Sequence, residues 1–140
     1  MYPEHLVIPM KADLTNFGFH EVTSAEAVDQ AVSNNKGPML LVVNSVCGCA
    51  AGTLRPGVKL SLSSENAPKQ LYTAFAGFDF EAVNQARQYF LPYPPSSPSI
   101  GVFMDDKLVH FVERHQIEGR SAEIIAEHLK AVYDELAKLA

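Results

Sequence analysis

The sequence predicts an α/β fold: a central mixed sheet of four to five strands flanked by helices, with an extra N-terminal helical segment. Three observations predict it. Met39-Leu40-Leu41-Val42-Val43 is a continuous apolar run bounded by Gly37-Pro38 and Asn44-Ser45. That is the pattern of a strand buried on both faces, and such strands sit in largely parallel sheets covered by helices. Strand-like and helix-like segments alternate through the first two-thirds of the chain, which right-handed crossovers turn into parallel neighbours. Towards the end, Ile100 to Met104 and Leu108 to Val112 flank Asp105-Asp106-Lys107, a hairpin signal that adds an antiparallel edge.

Each element has its own signal. Leu6, Met10, Leu14 and Phe17 recur at helical spacing, with Pro9 beginning a turn or kink. A short strand fits Phe17 to Val22. Thr23-Ser24-Ala25-Glu26 reads as a capping-box start to a helix carrying Ala27, Val28, Ala31 and Val32 on one side. After the Met39–Val43 strand, Ala50 to Leu62 reads as a helix bent by Pro56 and Gly57. Leu71 to Ala76 is the next strand, and Asp79 caps a helix with Val83, Ala86, Tyr89 and Phe90. Tyr93-Pro94-Pro95-Ser96-Ser97-Pro98 is neither helix nor central strand. Ser121 opens a long amphipathic helix with Ile125, Leu129, Val132 and Leu136 inward.

Composition narrows the function classes. With 140 residues, 47% hydrophobic and 19% charged, the expectation for residues 1–140 is one domain with a single core. The net charge of −5 and the lack of a Lys/Arg cluster argue against a nucleic-acid partner. No apolar stretch is long enough to cross a bilayer, and Met1 to Met10 lacks the pattern of a secretory signal. The expectation is a cytoplasmic domain with no membrane partner.

The chain has two cysteines, Cys47 and Cys49, separated only by Gly48. A structural staple is a poor explanation, because closing so short a loop removes little unfolded-state entropy. Cys47 stands where a strand ends and a helix begins, and first-turn N–H groups and the positive end of the helix dipole favour its thiolate. Cys47 is therefore expected to attack a disulfide, with Cys49 as the resolving thiol and Gly48 leaving the backbone free to bend. The C-x-C ring is one residue smaller than a C-x-x-C ring, so its disulfide is expected to be strained and oxidising, which suits cap removal or isomerisation better than general reduction. A proline just before a strand beside the cysteine loop is a second signal, because proline deprives a ladder of a donor. Asn44, Ser45 and Gly48 around the cysteines, with Ser97 and Pro98, form the candidate substrate-contacting set, and no metal ligand is assigned.

Asn44 to Gly52 with Arg55-Pro56, followed by Phe75-Ala76-Gly77, Pro95-Ser96-Ser97-Pro98-Ser99 and His110-Phe111 through Arg114-His115-Gln116-Ile117-Glu118-Gly119, resembles the bacilliredoxin family of C-G-C thioredoxin-like bacterial proteins. Leu14-Thr15 to Gly18-Phe19 is similar too, so the resemblance covers essentially the whole chain. It implies a thioredoxin-like fold and removal of bacillithiol from mixed disulfides on cytosolic proteins. It further implies that Cys47 takes the small thiol, that Cys49 assists resolution, and that Ser97-Pro98 is a cis-proline turn with the Ser97 backbone open to a substrate chain. Bacillithiol is then a thiol co-substrate rather than a tightly bound cofactor, and a reductase regenerates the thiol form. The family is also linked to disulfide-isomerase activity. Unlike thioredoxins, the chain has Leu41 where they keep a buried acid, and no Trp precedes the first cysteine.

Other readings stay open. The same C-x-C site suits a protein disulfide isomerase or general dithiol oxidoreductase. Two inert thiols, or a non-catalytic thioredoxin-fold or metal-binding module, are the readings of another class. His5, His20, His110, His115 and His128 read as surface or edge histidines, with His110 or His115 as charges near Cys47 the alternative. Arg55 reads as a solvated helix residue ahead of a charge near the thiolate, and Tyr89 and Tyr93 as candidates for a substrate edge.

Overall fold

The computed structural model of the protein describes residues 1–139. In chain order its elements are α1 (Glu4–Thr15), β1 (His20–Glu21), α2 (Ala25–Ser33), β2 (Pro38–Asn44), a π-helical turn (Ala50–Leu54), α3 (Arg55–Ser61), β3 (Gln70–Phe75), α4 (Phe80–Phe90), β4 (Ser99–Met104), β5 (Lys107–Val112), α5 (Arg114–Ile117) and α6 (Ala122–Leu139). One five-stranded sheet runs in the order β1-β3-β2-β4-β5. β1 and β2 pair with β3 in parallel, whereas β4 pairs antiparallel with β2 and with β5. The expected α/β class and mixed sheet are therefore present, with β2 as its central strand.

Alternation along β2 explains why its sequence is apolar throughout. Leu40 and Val42 enter a core with Leu14 of α1, Val58 of α3, and Ile125, Leu129 and Tyr133 of α6. Met39, Leu41 and Val43 enter a second core, on the other face, with Val28 and Val32 of α2 and Val83, Ala86 and Phe90 of α4. A strand between two cores has no polar face to show.

Several local expectations are corrected. In α1 the inward residues are Val7 and Leu14, with Met10 half-buried, while Leu6 and Phe17 are about half exposed. Phe17 lies beyond the helix end, where Lys59 Nζ sits 5.0 Å from its ring centroid. The N-cap of α2 is Ser24 rather than Thr23: Ser24 Oγ accepts from Ala27 N at 3.1 Å. The third helical residue is then Ala27, which has no carboxylate to complete a capping box. The helical stretch after the cysteines is irregular where the sequence suggests: a π-helical turn over Ala50–Leu54 runs directly into α3, with Pro56 in the first turn of α3. Gly57 is a point of close approach, since a Cβ there would lie 2.9 Å from Ile125 Cβ of α6.

Asp79 occupies the N-cap position of α4 without capping it. Its carboxylate accepts from Phe75 N at 3.0 Å and pairs with Lys11 Nζ at 3.0 Å, tying α1 to the end of β3. In the β4–β5 hairpin Asp105 adopts φ 55°, and its Oδ1 accepts from Gly37 N at 2.8 Å. On α6, Val132 packs half-buried against the core as expected, and Tyr133 is buried beside it, its hydroxyl meeting Ser61 Oγ at 2.9 Å.

Candidate active site

β2 ends at Asn44, and the chain turns through Ser45 and Val46 to Cys47 before helical backbone begins. Cys47 O accepts from Ala50 N at 2.9 Å and Ala51 N at 3.2 Å, so Cys47 closes the first helical turn. Antiparallel pairing of Val43 with Ser99 brings the start of β4, and with it Ser97-Pro98, to the same end of the sheet. The Ser97–Pro98 peptide is cis.

Both cysteines are free thiols, partly exposed, with Sγ atoms 2.8 Å apart. Their acidities diverge. Cys47 is held below the ordinary thiol range, first by the hydrogen bond from the Cys49 thiol and then by the Cys49 N–H, with the Arg114 charge adding to both. Cys49 is pushed up to about 11, first by burial and then by the neighbouring Cys47 sulfur. One sulfur is prepared as thiolate and the other as proton donor. The helix start contributes to Cys47, as its position in the sequence suggests, but the partner thiol contributes more.

Arg114 is the site residue for which the sequence carried no assigned role. Its Nη2 donates to Cys47 Sγ at 3.2 Å and its Nη1 to Ser97 O at 3.2 Å, while Nε pairs with Glu118. The Ser97 carbonyl is thus occupied by Arg114. The segment Arg114 to Gly119 was legible as a motif, but 67 residues separate Arg114 from Cys47 and only the β5–α5 turn closes that gap.

Beneath the cysteines lies a polar network built on Arg55, which is buried rather than solvated, contrary to expectation. Its Nη1 donates to Asn44 Oδ1 at 2.9 Å and Ser45 O at 3.0 Å, and its Nε to Asp13 Oδ2 at 3.1 Å. Asn44 Oδ1 also accepts from Ser45 N, Asn44 Nδ2 donates to Met10 O, and Ser45 Oγ accepts from Cys47 N at 3.1 Å. Asn44 and Ser45 are both buried, with polar groups engaged in holding the loop, whereas Gly48 is exposed. The reason Arg55 is inside is the supply of acceptors at the end of β2 and on α1, which a reading of α3 alone does not show.

A cleft of about 280 Å³ opens beside the pair, lined by Cys47, Ser97, Arg114, Arg87, Gly77 and Tyr2, with Ser45, Val46 and Ala76. Pro98 is buried behind Ser97. The aromatic candidates do not join it: Tyr89 donates to Asp29 at 2.6 Å, and Tyr93 stacks on Phe111. His110 of β5 and His128 of α6 meet at the surface with Nε2 atoms 2.8 Å apart, and neither lines the cleft beside Cys47. Among the described residues no group of three or more His, Cys, Asp or Glu side chains is arranged to hold a metal ion, and no helix is long and apolar enough to cross a membrane.

Comparison with known proteins bears on the family and the fold. The family model described as "Disulphide isomerase" matches residues 2–137. A bacilliredoxin of Cytophaga hutchinsonii is 65% identical, over 97% of this chain and 100% of the relative. A bacilliredoxin of Koribacter versatilis is 47% identical, over 96% of this chain and 93% of its own. Among solved structures, mitochondrial thioredoxin 3 of Saccharomyces cerevisiae in its oxidized form is similar at a TM-score of 0.58 and 10% identity, covering 88% of this chain and 98% of that one. At that identity the likeness concerns the fold, which is that of thioredoxin.

Proposed function

Because the chain belongs to the disulphide isomerase family, with bacilliredoxins as relatives, and is in general terms a thiol–disulfide oxidoreductase, we propose that it removes bacillithiol from mixed disulfides on cytosolic proteins. The observation that carries this reading is the divergence of the two thiols 2.8 Å apart, with Cys47 acidified and Cys49 held protonated.

The chemistry follows from that divergence. Cys47 thiolate attacks the cap sulfur of a client–S–S–cap disulfide, the old S–S bond breaks, and the client thiolate leaves and takes a proton. The cap then sits on Cys47 as a new mixed disulfide, with no net oxidation. Cys49 loses its proton and attacks Cys47 Sγ, releasing the cap as a thiol and leaving a Cys47–Cys49 disulfide. A dithiol reductase, or two molecules of small thiol that leave joined as their own disulfide, returns the pair to the reduced state. Bacillithiol acts here as co-substrate and no tightly bound cofactor takes part. Asn44 and Ser45 position the cysteine loop through Arg55, while exposed Gly48 and half-buried Ser97 border the approach to Cys47 and buried Pro98 backs Ser97. The cytoplasm, where thiols are kept reduced, is the compartment in which such a cycle turns over.

The test uses a bacillithiol-capped protein and two variants. With Cys49→Ala the cap moves to Cys47 and stays there, detectable by mass. With Cys47→Ala no transfer occurs. Equal activity in both variants overturns the assignment. The family description favours a second reading, disulfide isomerisation, which predicts rescue of a scrambled disulfide substrate that depends on both thiols.

A further inference from the structure

The cleft beside Cys47 holds more positive charge than the exchange reaction uses. We propose that Arg87, seconded by Arg114, forms an anion subsite that selects thiol caps bearing a carboxylate; the inference rests on the cap-transfer reading above.

Arg87 lies in the last turn of α4 and lines the cleft with Cys47 and Arg114. Its Nε is buried without a hydrogen-bond partner, and among the described residues Arg87 enters none of the ion pairs. A buried charged donor without an acceptor is costly, and it is the kind of group a ligand completes. The guanidinium fork matches a carboxylate in two-point geometry. The chain's net charge is −5, so this concentration of cations is local rather than a property of the whole surface.

Arg114 is committed differently. In the reduced site it serves Cys47 Sγ, Ser97 O and Glu118. When Cys47 enters a mixed disulfide its negative charge leaves with the departing client thiolate. Arg114 then loses one anionic partner at the moment the cap arrives. A carboxylate on the cap replaces that charge, so the subsite favours the capped intermediate over the free dithiol.

The size of the cleft indicates which partner supplies the anion. About 280 Å³ lies just under the range typical of drug-sized ligands, roughly 300–1,000 Å³, and suits a small thiol rather than a folded client. Tyr2 closes one rim: a Cβ at Gly77, which has φ +79°, would collide with the Tyr2 ring, so glycine there lets the ring close over the cleft.

The experiment uses one carrier peptide with a single cysteine capped by mercaptosuccinate, 2-mercaptoethanol or cysteamine. Each release rate is divided by that of the same cap with dithiothreitol. The wild-type protein is expected to favour the dicarboxylate over the neutral cap by about tenfold, equivalent to about 1.4 kcal/mol, with the cationic cap slowest. Arg87→Gln brings that ratio to within about twofold of unity, and Arg87→Lys restores part of it. If Arg87 is only structural, all caps slow together and the ratio survives, which overturns the proposal. Moving the charge to the peptide, as Asp or Lys beside a neutrally capped cysteine, should leave the rate little changed; a preference that follows the peptide also overturns it.

A second measurement does not depend on cap transfer. In the Cys49→Ser variant, alkylation of Cys47 by anionic iodoacetate is compared with neutral iodoacetamide, with and without Arg87→Gln. The iodoacetate-to-iodoacetamide ratio should fall severalfold when Arg87 is replaced, and an unchanged ratio refutes the subsite. Failure of every cap to leave through Cys47 would instead refute the exchange reading, with the alkylation ratio still deciding the subsite.

Discussion

Replacing Arg55 by methionine should separate the framework of the site from its chemistry. Methionine keeps the aliphatic stem and removes the guanidinium, leaving Ser45 O, Asn44 Oδ1 and Asp13 Oδ2 without their Arg55 donors. Breaking a buried charged pair from one side costs about 3–5 kcal/mol. The lower end applies, because Asp13 is 37% exposed and keeps Lys59, and Asn44 Oδ1 keeps the Ser45 N–H. A loss of about 3 kcal/mol is therefore expected, with the orphaned Ser45 carbonyl as its largest part. At an unfolding entropy of about 2 cal/mol/K per residue, that lowers the Tm of this chain of 140 residues by about 10 °C.

Urea unfolding measures the loss directly, and Arg55→Lys should fall between wild type and Arg55→Met, since lysine keeps charge without the fork. The pH dependence gives a second check. Burial opposes ionisation of Asp13, but hydrogen bonds from Lys59 and then Arg55 outweigh it and hold its carboxyl below the usual value. A carboxyl depressed in the folded state contributes stability above its unfolded pKa, near 3.9, and loses it as pH falls through the folded value. The gap between wild type and Arg55→Met should accordingly narrow below about pH 4. A loss under about 1 kcal/mol, with the Cys47 alkylation rate unchanged, would refute the view that Arg55 holds the cysteine loop.

Two further outcomes follow from the same geometry. The pH midpoint for alkylation of Cys47 should lie below that of an ordinary thiol, about 8.5, and rise more in Cys49→Ala than in Arg114→Gln, because the Cys49 hydrogen bond is the larger cause of the depression; the reverse order would place Arg114 first. Gly57→Ala should destabilise the protein by about 1–3 kcal/mol through overpacking, since the added Cβ meets Ile125 and Ala122 O of α6 at 2.9–3.0 Å, and thermal unfolding reads it.

What was legible in the sequence is what depends on neighbours along the chain. The apolar run of β2, the alternation of strands and helices, the β4–β5 hairpin and the Cys47/Cys49 pair are all local patterns, and the fold contains each of them. The resemblance also pointed to Ser97-Pro98 as a turn beside the cysteines, and the antiparallel pairing of β4 with β2 brings it there. Local patterns fail where a residue's partner comes from elsewhere. Arg55 looks like any helix cation until α1 and the end of β2 surround it with acceptors. Asp79 looks like a helix cap until Lys11 and Phe75 N claim its carboxylate.

The sequence alone determined that two thiols share one turn, and the place of Cys47 at the start of a helix was the ground for expecting attack from it and resolution from Cys49. Only the tertiary structure decided how their acidities part and which cation serves them. Those effects depend on distances of about 3 Å between groups as far apart in the chain as Cys47 and Arg114. Electrostatic influence is set by separation in space, which the order of residues does not state until the fold brings them together.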